Sequence, residues 1–262
     1  MYTNPSLDFP RLAAAALLLL VLPTHAAWVA LDNFDSYATG PLAGQGGWTL
    51  SAGSGNTSTV EDQSGNKVAA MTSGTANQTL YRSMGSGAIA NNTTATVFFR
   101  FQSTLAQPNF NIGLLDIAAP ANATFNINQS QFRVAGDTAA NANNLYTRDS
   151  TGFVDIGDFE IFTWYNMWMV INNTTDRTTF YTSTGNADGT LMGDANGYTF
   201  RVPSVNPITT LQVISSNTSA VFLDDFYLDT SGENLVNPVP EPSMTGLVGL
   251  GTLAMFRRRR SR

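Results

Sequence analysis

Three groupings of side chains have the composition of a site. Asp32 and Asp35 stand near the start of the central part of the chain, and Asp224, Asp225 and Asp229 near its close. Ca2+ takes hard oxygen ligands, so Asp32, Asp35, Asp224 and Asp225 are candidate ligands of a structural calcium ion, the alternative being solvated strand ends. The run Asp155-Ile156-Gly157-Asp158-Phe159-Glu160 gathers three carboxylates beside Phe162, Trp164 and Tyr165. Glycoside hydrolysis needs one carboxyl as acid and another as base or nucleophile. On a strand, however, Asp158 and Glu160 share a face and Asp155 opposes them, so the run reads as solvated acids and supplies no catalytic residue. Trp48, Trp164, Tyr165 and Tyr198 could stack on sugar rings if exposed; aromatic side chains at this density otherwise fill a core.

The absences narrow the chemistry further. There is no cysteine, so no disulfide framework. The single histidine, His25, falls in a leader-like segment. If that leader is removed, thiol nucleophiles, Ser-His-Asp triads, imidazole bases and zinc sites with N or S ligands go with it. The net charge of −6 conceals an asymmetry, because Arg257, Arg258, Arg259, Arg260 and Arg262 crowd the C-terminus. Residues 27–242 hold seven basic and eighteen acidic residues, a net −11, which repels phosphate backbones and argues against nucleic-acid binding.

Both ends read as export and sorting signals. Residues 12–22 (LAAAALLLLVL) form an apolar run followed by Pro23 and Thr24-His25-Ala26. The run is too short for a bilayer core of roughly 30 Å and has the layout of a signal peptide over residues 1–26, served by the Sec translocon and signal peptidase. At the other end, Val239-Pro240-Glu241-Pro242-Ser243 precedes an apolar stretch over 244–256 and then Arg257 to Arg260. Thirteen residues at about 1.5 Å each make a marginal anchor, with the arginines held on the cytoplasmic side. The order of motif, short apolar segment and arginine cluster resembles the PEP-CTERM sorting signal over residues 239–262. The resemblance implies an inner-membrane intermediate, cleavage near Pro240-Glu241-Pro242 by an exosortase, and delivery to the surface or extracellular matrix of a Gram-negative-type bacterium that makes exopolysaccharide.

Between the ends, short β-like runs alternate with Gly/Asn/Asp/Ser turns and no long amphipathic helix appears. Candidate strands are 94–105, 110–117, 123–134, 167–172, 177–182, 199–202, 211–215 and 221–228. Asn172-Asn173-Thr174-Thr175-Asp176 reads as a hairpin turn whose first strand, apolar on both faces, is buried on both. Spacing near ten residues predicts an all-β, two-sheet antiparallel jelly-roll sandwich over 27–230, with 231–238 as a linker to the tail. The segments LDNFDSYATGPLAGQGGWTL, WYNMWMVINNTTDRTTFYTST and AVFLDDFYLDTSGENLVNP resemble concanavalin A-like or laminin G-like sandwiches. That resemblance implies a first strand pairing close to the last, one concave face, and a calcium ion tying the chain start to Leu223-Asp224-Asp225-Phe226. The E-x-D-x-x-E order of sandwich glucanases is missing. The expectation is a non-catalytic envelope or matrix protein contacting exopolysaccharide through one sheet face; the alternative is a glycoside hydrolase or polysaccharide lyase on the same fold.

Overall fold

The computed structural model describes residues 28–239 apart from 56, 73, 75–76, 86–87, 138–141 and 217–220. The expected leader, the apolar tail segment, Pro240, Glu241, Pro242 and Arg257 to Arg260 lie outside the described residues.

Alternation of side chains along extended segments dictates the layers. In Thr94–Ser103, Ala95, Val97, Phe99 and Phe101 point into one buried cluster, while Thr96, Phe98, Arg100 and Gln102 point the other way. In chain order the strands are β1 (Val29–Asp32), β2 (Gly40–Pro41), β3 (Thr49–Leu50), β4 (Thr59–Gln63), β5 (Asn66–Met71), β6 (Gln78–Ser83), β7 (Thr94–Ser103), β8 (Asn109–Leu115) and β9 (Ser130–Asp137). They continue as β10 (Ala142–Arg148), β11 (Phe153–Asp158), β12 (Tyr165–Asn172), β13 (Arg177–Thr184), β14 (Thr190–Met192), β15 (Tyr198–Thr199), β16 (Thr210–Ser215) and β17 (Val221–Asp229).

Two antiparallel sheets result. One is ten-stranded, in the order β14-β13-β12-β7-β17-β5-β4-β2, with β1 on β17 and β15 on β13; the other is seven-stranded, in the order β11-β10-β9-β8-β16-β6-β3. The first strand pairs with the last, Val29 opposite Leu228 and Ala30 opposite Tyr227. The inner faces share one core in which Phe99 and Phe101 meet Phe132 across the sheets, each at 5.5 Å between ring centroids. This is the all-β jelly-roll sandwich that the alternation predicts.

The hairpin after β12 forms around Asn172, whose Oδ1 accepts from the backbone amides of Thr174 and Thr175. Both faces of β12 are buried, Met167, Met169 and Ile171 in the core and Trp168 and Val170 outside it. Residues 231–238, expected as a linker, lie fastened to the outer side of the ten-stranded sheet. The Gly232 carbonyl accepts from Thr96 Oγ1, the Leu235 carbonyl from the Gly189 amide, and the Asn237 amide donates to Asp188.

Candidate functional site

The charges of Asp35 and Asp224 both reach Asp225, so three of the aspartates expected to bind calcium are neighbours, but each of the four is held by donors of the protein. Asp32 sits at one end of the core, where its carboxylate accepts from the Phe34 amide (3.0 Å), Tyr37 Oη (2.7 Å), Trp48 Nε1 (2.7 Å) and the Arg82 guanidinium. Each of these is a donor and one carries a full positive charge, so Asp32 is a cross-sheet tie between β1 and β6 and not a cation ligand. Burial first, then the bond to Asp32, pushes the Tyr37 phenol well above its usual range.

Asp224 and Asp225 occupy a bulge in β17, where Asp225 takes a left-handed backbone (φ 53°) and the extra residue restores Phe226 and Leu228 to the core. That bulge explains the doubled aspartate in Leu223-Asp224-Asp225-Phe226 without a metal. Asp225 pairs with Arg100 at 3.1 Å, and Asp224 accepts from Asn66 Nδ2 at 2.9 Å. Burial and then the neighbouring Asp225 charge push the Asp224 carboxyl up to about 7. Asp35 accepts from Asn33 Nδ2 at 3.1 Å. Among the described residues no three acidic side chains gather as a metal site, so the four aspartates do not fit a calcium ion as a set.

The four expected sugar platforms are scattered. Trp48 is 1% exposed and stacks on Phe34 inside the core, so it cannot receive a ligand. Trp164 lies against the Arg100 guanidinium, 5.0 Å from its ring. Tyr165 stacks on Phe101, its hydroxyl accepting from the Glu160 amide. Tyr198 packs near Phe180, its hydroxyl accepting from the Asp194 amide. Trp48 is part of the core, while Tyr165 and Tyr198 are half-buried against it and Trp164 is half-buried beside Arg100.

The polar residues missed in the sequence lie on the outer face of the seven-stranded sheet. Residues 116–129, of which 123–129 were expected to begin a strand, instead fold back over part of that face. The loop is held by Gln129 Nε2 to Asp116 Oδ1 (3.1 Å), by Thr79 Oγ1 to Asn122 Oδ1 (2.8 Å) and by Ser51 Oγ to the Pro120 carbonyl (2.8 Å). Asn128 lies so close over Gly113 that a Cβ there would fall 2.2 Å from its Nδ2, so the loop needs glycine at that point. Beneath the loop the side-chain amides of Asn128 and Gln212 are fully buried and find no partner among the described residues.

Beyond the loop, β9, β10 and β11 present a polar strip that is uncovered among the described residues. Phe153 at the start of β11 is 46% exposed, with the guanidinium carbons of Arg133 and Arg148 at 4.5 and 4.7 Å from its ring centroid and Tyr146 edge-on at 6.4 Å. Arg201 crosses from the end of β15, its amide bonded to the Gln129 carbonyl and its guanidinium reaching Gln131 at 3.4 Å. At the other end of the strip Asn144 Nδ2 donates to Asp155 (2.6 Å) and Asp158 (3.2 Å). A register shift between Leu145 and Tyr146, with Gly157 at φ 151°, breaks the strict alternation of β11. Asp155 and Asp158 therefore share the amide of Asn144, where regular alternation would oppose them, and Glu160 lies past the strand end.

In fold the chain is similar to the globular domain of Trypanosoma cruzi calreticulin (TM-score 0.53, 14% identity, 78% of this chain and 88% of that one). It is also similar to lectin II from Ulex europaeus (TM-score 0.50, 11% identity, 77% and 97%). The exoplasmic domain of VIP36 in its Ca2+/Man2-bound form aligns with a TM-score of 0.50 at 6% identity, over 78% and 89%. At such low identity these likenesses define a fold: the body is a lectin-like jelly-roll sandwich. Residues 238–260 match the PEP-CTERM protein-sorting motif, so the chain carries the signal that directs exosortase processing. No curated protein matches the chain.

Proposed function

We propose that this chain is an exported, exosortase-processed surface protein whose sandwich binds a glycan of the extracellular matrix without turning it over. The sorting motif gives it export and membrane-held processing; the leader would be served by the Sec translocon and signal peptidase. The observation that carries the binding reading is the uncovered strip on β9, β10 and β11. An exposed aromatic ring offers an apolar platform to the C–H face of a pyranose, and amides, guanidinium groups and carboxylates around it offer donors and acceptors for hydroxyls. Polar groups around an apolar contact are what orient a small ligand.

The residues just before the sorting motif are fastened to the opposite sheet, so a chain tethered by its tail turns this strip away from the attachment side. Asp155 and Asp158, a close carboxylate pair on the strip, both accept from Asn144, which favours holding a hydroxyl over transferring a proton.

A glycan array read with the purified protein, together with a reducing-end release assay on every glycan bound, tests this. The expected result is binding without release. Release of reducing ends would make the protein a carbohydrate-active enzyme, and no bound glycan would remove the reading.

A further inference from the structure

The central part of the chain is acidic, yet its few cations are unevenly spent. Lys67 is bound to backbone carbonyls, Arg82 to Asp32, Arg100 to Asp225, and Arg177 to the carbonyls of Asn196 and Gly197. The other three, Arg133, Arg148 and Arg201, sit together on the strip around Phe153, and none of them is in an ion pair among the described residues. Arg133 donates to Asn109 at 3.1 Å and Arg201 approaches Gln131 at 3.4 Å, both neutral acceptors. The Nε atoms of Arg133 and Arg148 are buried without a partner among the described residues. Such an arrangement is costly, since three like charges are held close and two donors lack acceptors. Burial, offset in part by Tyr146 and reinforced by the charge of Arg148, holds the Arg133 guanidinium below its usual range, and burial with Arg148 does the same for Arg201.

We infer that the glycan taken by this strip is anionic, a polysaccharide bearing hexuronate residues, whose carboxylate is received by Arg133, Arg148 and Arg201 while the sugar ring lies on Phe153. This rests on the glycan-binding reading and names its substrate class. A guanidinium fork matches a carboxylate with two parallel hydrogen bonds, which are stronger than those between neutral groups. The ligand would supply the charge that the protein withholds.

The acids in the neighbourhood set the direction of binding. Asp149 follows Arg148 and feels its charge without a direct ion pair, its carboxylate being hydrogen-bonded to Thr151 and to the Gly152 amide. Asp155 and Asp158 lie at the Asn144 end of the strip. The strip is therefore positive at one end and negative at the other. It seats an acidic sugar with its carboxylate toward the arginines and its hydroxyls toward Asp155 and Asp158. Screening over about 8 Å at physiological ionic strength lets this local cluster act within an acidic body, while the body still disfavours densely charged polymers such as nucleic acid.

The test is titration of the purified protein with an oligogalacturonate and with its fully methyl-esterified form, in which each carboxylate is a neutral methyl ester. The expected result is at least tenfold tighter binding of the acid at low salt, a preference that shrinks in 0.5 M NaCl. Arg201→Gln is expected to weaken the preference several-fold and the double variant Arg133→Gln, Arg148→Gln to remove it, whereas Phe153→Ala weakens both ligands. Should the double variant fail to fold, Arg201→Gln and the salt series still decide. Equal affinity for acid and ester, with both lost in Phe153→Ala, would overturn the anionic preference and leave the glycan-binding face standing. No binding of either probe, with no neutral glycan bound on the array, would overturn both.

Discussion

The two outer faces of this sandwich have opposite fates. Outside the ten-stranded sheet, Trp28, Phe98, Trp168 and Tyr227 form an aromatic layer, with Trp168 edge-on to Phe98 at 5.0 Å, and the chain folds back over that side along residues 185–189 and 232–237. Outside the seven-stranded sheet, the equivalent positions are amides, arginines and aspartates around one exposed phenylalanine, and among the described residues no segment covers the part built by β9, β10 and β11. An aromatic outer face is a second small core, stabilised by removal from water. A polar outer face gains nothing from such a cover and stays available. One sheet therefore carries the residues that lead into the sorting motif, and the other keeps a polar face.

The largest expected effect that would break this contrast is at Trp168. Trp168→Ala removes a fully buried side chain from the covered face and is expected to cost about 3–5 kcal/mol, read by denaturant unfolding. A loss below 1 kcal/mol would mean that the aromatic layer is decoration. Gly113→Ala probes the loop on the other sheet. Its Cβ would collide with Asn128, so a loss of about 1–3 kcal/mol is expected, together with faster hydrogen exchange confined to residues 116–129.

Asp224 lies on the covered side, and there the sign matters. Its folded carboxyl is raised to about 7 while an unfolded aspartate titrates near 3.9, so the protonated form is favoured by folding. Its contribution to stability is fully present below about pH 4 and is lost as the pH rises through about 7. Asp224→Asn should therefore match the parent near pH 4 and be the more stable of the two at pH 8, visible as a higher Tm. A variant less stable at pH 8 would contradict the burial argument. The smallest effect is expected from chelation: EDTA should leave Tm unchanged, because Asp32 and Asp225 already hold arginines. A fall of several degrees would restore a cation to the aspartate end.

The sequence was legible where aromatic and branched residues alternate. The runs at 94–105, 110–117, 167–172, 177–182, 211–215 and 221–228 became β7, β8, β12, β13, β16 and β17, with ends moved by a few residues. Strands β4 to β6 carry charged or hydroxyl side chains on their outer positions (TVEDQ, NKVAAM, QTLYRS) and escaped notice. Strands β10 and β11 (ANNLYTR, FVDIGD) escaped for a related reason: their outward residues are polar and a register shift spoils their alternation. These last two strands carry most of the candidate site. A surface built to meet a polar ligand weakens the hydrophobic period by which strands are recognised, so the site lay where that reading is poorest. The pairing of Asp32 with Arg82 and of Asp225 with Arg100 was not legible, because it depends on contacts between residues far apart in the chain.

The central claim is that the glycan-binding face lies on β9, β10 and β11. Hydrogen–deuterium exchange of the purified protein, with and without saturating oligogalacturonate, reads this directly. The account predicts slowed exchange in the segment 130–158 and no change in β12, β13 or residues 231–238. Protection of the ten-stranded sheet, with 130–158 unaffected, would contradict it.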